Sequence, residues 1–138
     1  SNLTSLQTDT FTTISLPNFK KTNKSIFDFP FIPIGDKGIM VMQSLSYIVV
    51  SASVRFFISP TTGVRSIRIM YSQGGNISYF AEVSRFVSVA GSDTLNISPF
   101  LLQLDPTSSN ARIFLQYKTP SALDSIESNT TWLTAQTP

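Results

Sequence analysis

The residue types that could do chemistry are few, and the missing ones are the most informative. The 138-residue chain contains no histidine and no cysteine. Imidazole is the side chain that titrates near neutrality and the usual general base, so the many serines lack their ordinary activator. Without cysteine a thiol nucleophile is excluded, as are thiolate zinc and iron–sulfur sites. A Ser–Lys arrangement stays open, but the five lysines fall mostly in turn regions, with Lys20, Lys21 and Lys24 reading as a solvated loop. Glycoside hydrolysis needs two carboxylates in matched environments. Of the eight carboxylates, Asp124 and Glu127 form the closest non-adjacent pair. Gln73-Gly74-Gly75-Asn76 lacks the lysine and the following helix of a phosphate loop. Asp93, Asp105 and Asp124 read as turn formers in preference to calcium ligands. The expectation is a binding domain with no catalytic residue, no metal and no cofactor.

Composition narrows the class. Charged residues make up 13% of the chain, about half the usual share, and the net charge is +2. The basic calculated pI reflects how few groups titrate, and no clustered basic face of the kind that grips phosphate backbones is present, so nucleic acid is not an expected partner. No apolar run approaches the ~20 residues that cross a bilayer as a helix. No charged-then-apolar leader opens the chain, which suggests that Ser1 begins a processed product or fragment. Sequons at Asn2, Asn23, Asn76, Asn96 and Asn129 permit glycosylation without implying it.

The elements that would position any site are strands. Eleven Phe with abundant Ser, Thr and Asn favour extended structure, and no helical period is visible. Strands are expected at Thr10–Leu16, Ile39–Met42, Leu45–Ile58, Val64–Ser72, Ile77–Val89, Thr94–Leu104, Ala111–Lys118 and Thr130–Ala135, with Ser25–Ile34 an edge or crossing segment because of Pro30 and Pro33. The clearest is Leu45–Ile58, where Ile48, Val50, Ala52, Val54, Phe56 and Ile58 alternate with polar residues, as a half-buried antiparallel strand requires. The regular turn spacing predicts one all-β domain over residues 1–138, an antiparallel sandwich or jelly roll, with residues 1–24 as an N-terminal strand and loop.

Alternation also exposes large residues on the polar faces. Phe57 shares a face with Arg55, Met70 with Arg68, Phe80 with Ser78 and Glu82, and Phe114 with Arg112 and Gln116. Trp132 opposes the face of Leu133, whereas Tyr71 and Tyr79 are expected on apolar faces. If the strands are neighbours, these side chains form the kind of exposed patch that marks an interface. A subunit contact through Phe57, Met70, Phe80, Phe114 and Trp132 is therefore expected. Ligand contacts are expected from end loops: Thr61 and Thr62, Gln73 and Asn76, Ser108 and Asn110, and Asp124 with Asn129.

The stretch Gly38-Ile-Met-Val-Met-Gln-Ser-Leu-Ser-Tyr47 through Ala52-Ser-Val-Arg-Phe56 resembles the complement-one-q-like domains, which share a superfamily with tumour necrosis factor. The likeness continues through Gly63–Met70, Thr94–Ser98, Ala111–Tyr117 and Thr131–Thr134. Ser46 and Ser109-Asn110 depart from the family pattern, which has Gly before the aromatic and a Gly-Asp turn. The resemblance implies a ten-stranded jelly roll assembled as a homotrimer, recognising a cell-surface receptor or glycan through loops. It also implies an extracellular or virion-surface setting at the tip of a fibrous protein. Calcium near the threefold axis is known in the family, but no calcium motif carries over.

Overall fold

Most alternate positions of the long strands are β-branched, aliphatic or aromatic, and this period-two pattern closes into two packed sheets. The computed structural model describes residues 5–16, 20–21, 31–42, 45–108 and 110–138. Readings of Ser25–Pro30, Lys24, Asn2 and Asn23 lie outside the described residues. So do the side chains of Lys20 and Lys21.

Eleven strands are described: β1 (Thr12–Thr13), β2 (Lys20–Lys21), β3 (Phe31–Ile34), β4 (Gly38–Val41), β5 (Tyr47–Ile58), β6 (Gly63–Gln73), β7 (Asn76–Val87), β8 (Gly91–Gln103), β9 (Ala111–Lys118), β10 (Ser125–Ile126) and β11 (Trp132–Gln136). The first sheet runs β3-β4-β9-β6-β7, with β1 sharing the β4 side of β9. The second runs β8-β5-β11-β2, with β10 beside β11 against β5. Pairing between the described strands is antiparallel except between β2 and β11, and the isolated Thr8–Thr119 bridge is also parallel. The fold is an all-β sandwich, compatible with a jelly roll. Three two-residue strands (β1, β2 and β10) bring the total above the expected eight to ten.

The core lies between the sheets. Ile48, Val50, Ala52, Val54 and Phe56 meet Ile67 and Ile69, Leu95 and Ile97, Ile113 and Leu115, and Leu133, all buried. Each such aliphatic side chain contributes about 2 kcal/mol on leaving water. Two places depend on glycine. A Cβ on Gly38 would strike the Ile113 carbonyl and the Phe114 ring, so β4 approaches β9 this closely because it has none. Gly74 and Gly75 have φ of 58° and 83°, and together they close the two-residue hairpin between Gln73 and Asn76.

Two bulges break the alternation. In β8, Ser98 and Pro99 lie between the pairs Ile97–Ala52 and Phe100–Val50, opposite Ser51 alone. A bulge in an edge strand is where proline costs no ladder bond. In β7, Ala81 and Glu82 together oppose Arg68, and Ala81 takes φ 56°. This second bulge reverses side-chain parity along β7, with consequences for two of the expected site residues.

Candidate interaction surface

Phe80 sits opposite Ile69, with its ring 6.2 Å from that of Tyr71, on the sandwich-facing side of β7. Tyr79 sits opposite Met70 on the outer face and is 50% exposed. Strict alternation assigns both the other way round; the Ala81 bulge is the physical reason for the exchange. Phe80 nevertheless remains 38% exposed, because β7 is an edge strand and the mouth of the sandwich is open beside it.

The five expected interface side chains therefore occupy three surfaces. Phe57, 46% exposed, and half-buried Trp132 share the outer face of the β5 sheet, where Trp132 opposes Ser53. Met70 and Phe114 are directly opposed on the outer face of the β6 sheet, both half-buried. Phe80 lines a cleft of about 450 Å³ between the sheets, with Tyr71, Leu101 and Leu104. A second cleft, of about 330 Å³, lies further along the same side, between Phe86, Val89 and Ser92.

Among the described residues, that side, formed by β7, β8 and the turn joining them, carries most of the large apolar side chains left in water. Ile77, Tyr79, Phe80, Phe86, Val89 and Leu101 are all exposed there, and Val64 is paired with Phe86. Among the described residues both strands are sheet edges, 12 and 13 residues long. Long apolar edges left open are templates for further pairing or packing. One ion pair spans them: Arg85 Nη1 lies 2.5 Å from Asp93 Oδ1, and Arg85 also donates to the Thr94 carbonyl. Partial burial pushes the Asp93 carboxyl up, but Arg85 and the Thr94 amide outweigh it and leave the group below its ordinary value.

The expected ligand loops divide between the two ends of the sandwich. Thr61, Thr62 and Asn129 are exposed at one end, and Asn76, Ser108 and Asn110 at the other. Gln73 is buried: its Nε2 donates to the Asp105 carbonyl, while its Oε1 accepts from the Asp105 amide and the Tyr71 hydroxyl. It fastens the β6 end to the β8–β9 loop.

Asp124 is likewise turned inward and 2% exposed, which corrects its reading as a solvated turn former and loop contact. Its Oδ2 accepts from Arg65 Nε (2.9 Å), the Tyr117 hydroxyl (2.9 Å) and the Thr119 hydroxyl (2.6 Å). Its Oδ1 accepts from Arg65 Nη2 (3.0 Å) and the Ser59 amide (2.8 Å). Burial pushes this carboxyl up, but the bonds from Arg65, Thr119, Ser59 and Tyr117 together hold it down at about 2. Burial and the Asp124 charge push the Tyr117 hydroxyl far up, so it stays a donor. Arg65 Nη1 donates to the Thr61 carbonyl at 2.7 Å, so one buried arginine joins the β5–β6 and β9–β10 loops. Its signal in the sequence is parity, since Arg65 shares the inward face of Ile67 and Ile69.

Among the described residues no three acidic side chains gather as a metal site would require. No protein-family model matches the chain, and no curated protein matches it either.

Proposed function

We propose that this domain is a non-enzymatic, trimeric recognition head of the tumour-necrosis-factor-like type, working outside the cell or on a virion surface. Its receptor or glycan contacts come from the exposed end loops. The observation that carries the reading is the group of exposed apolar side chains, Phe80, Phe86, Val89 and Leu101, that line the two clefts along the β7–β8 side. Such a patch is larger than isolated surface residues explain and calls for a covering molecule. A cyclic trimer needs a heterologous contact, in which one surface meets a different surface of the next copy. Two such surfaces exist: the β7–β8 edge, and the outer face bearing Phe57 and Trp132. Connectivity supports the jelly-roll type, because β5 to β6, β7 to β8 and β8 to β9 each change sheet while β6 to β7 is a hairpin. Three copies of a modest loop site would then raise avidity well above single-site affinity.

Mixing two dissociated variants tests the heterologous contact. Phe86→Asp disables the edge and Phe57→Asp the face, so each alone is monomeric. Mixed, they retain one intact edge and one intact face and form a heterodimer. If both stay monomeric on mixing, or neither variant dissociates, the assembly is wrong. A glycan array probed with the wild-type assembly should give saturable signal; silence there and on cell surfaces leaves a purely structural protrusion.

A further inference from the structure

The outer face of the β6 sheet holds a cation that is fixed in place before any ligand arrives. Arg68 projects outward from the middle of β6. Its guanidinium carbon lies 3.7 Å from the Phe11 ring centroid and 3.6 Å from that of Tyr79, so a ring covers each flank. Its Nε donates to Gln116 Oε1 at 2.8 Å. Gln116 is itself buried and held, with Nε2 donating to Thr13 Oγ1 at 3.3 Å and lying 3.5 Å from the Met70 sulfur. An ordinary surface arginine must lose rotamer freedom on binding; this one has already lost it. Its remaining donors, on Nη1 and Nη2, have no hydrogen-bond partner among the described residues and form the fork that fits a carboxylate end-on.

Charge and backbone support the same reading independently. Lys118 Nζ lies 5.6 Å from the same Phe11 ring, which adds a second cation to the face. The ion pairs among the described residues are Arg65–Asp124 and Arg85–Asp93, so neither Arg68 nor Lys118 is neutralised by one. Glu82, across the bulge from Arg68, is exposed and makes no ion pair with it. The bulge brings Tyr79 to this face, through a residue, Ala81, held at φ 56° without being glycine. Bulges that re-aim a side chain, and left-handed non-glycine residues, concentrate at functional sites.

We propose that Arg68, stacked between Phe11 and Tyr79 and assisted by Lys118, binds the carboxylate of a small acidic ligand such as a sugar acid. This site is separate from the end loops and does not require the trimer. The test is a nuclear magnetic resonance titration of the arginine side-chain N–H signals and the tyrosine ring signals at constant ionic strength. The probes are glucuronate, glucose and inorganic phosphate. Glucuronate should shift the Arg68 Nε–H and Tyr79 signals saturably, glucose should not, and phosphate should do so more weakly. Arg68→Lys keeps the charge but loses the fork, and should weaken glucuronate binding about tenfold or more. Lys118→Gln, outside the ring stack, should weaken it by less and serves if the first variant misfolds. No shift at Arg68 with glucuronate, an equal shift with phosphate, or affinity unchanged in both variants overturns the assignment.

Discussion

Arg65 and Arg85 face each other directly across the β6–β7 ladder, and each has an aspartate partner, yet the two pairs live in different worlds. Arg65 has no exposed surface, and its partner Asp124 accepts five hydrogen bonds from four residues. The Arg85 side chain is 50% exposed, and its pair with Asp93 bridges two open edges. Like charges directly opposed in a sheet repel, so the ladder tolerates this position because each arginine has its own acid. The contrast teaches where the molecule is finished. Its loop end at Arg65 is sealed internally, with polar groups matched to one another. Its β7–β8 side leaves apolar groups open around a single surface ion pair.

The comparison breaks most sharply at the buried pair. Asp124→Ala strands an unpaired guanidinium in the interior and should cost about 3–5 kcal/mol, read as a lowered urea midpoint or as failure to fold. Asp93→Ala should cost less than about 1 kcal/mol in the same assay, as exposed pairs do. Equal losses for the two would erase the distinction.

Acid gives the next effect. The Asp124 carboxyl is held at about 2, below its ordinary 3.8, so its contribution to stability is present above that ordinary value. The contribution is lost as the pH falls from about 4 towards 2. Urea midpoints measured across that window should fall more steeply in wild type than in a folded Arg65→Met/Asp124→Leu double variant. Parallel curves would show that the cluster does not govern acid stability.

A smaller effect comes from Ser59, whose hydroxyl is buried beside the cluster without a hydrogen-bond partner among the described residues. Its amide, not its hydroxyl, serves Asp124. Ser59→Ala should therefore be neutral or slightly stabilising by thermal melting, since an unsatisfied polar group is removed. A loss comparable to that of Asp93→Ala would contradict the hydrogen-bond assignment.

Much of the sandwich is legible in the sequence, because alternation in β5 and β9 follows burial directly. Ile48 to Phe56 and Ile113 to Tyr117 face inward as their spacing requires. The parity of Tyr79 and Phe80 is not legible, since the bulge falls at Ala81, a residue that carries no bulge signal. Pro99, by contrast, does mark its bulge. The buried cluster was half visible: Arg65 has inward parity, but its acid arrives from a loop 59 residues away, beyond the reach of local pattern. The division of Phe57, Met70, Phe80, Phe114 and Trp132 among three surfaces depends on which strands neighbour one another, and that is decided by tertiary pairing.

The open β7–β8 side bears most directly on what the domain does, and the mass of the particle in solution tests it. Light scattering on the eluting peak at micromolar concentration should give three times the 15.2 kDa chain mass, and the single-chain mass for Phe86→Asp. A wild-type particle of single-chain mass, with Phe86 and Leu101 in water, would contradict the account.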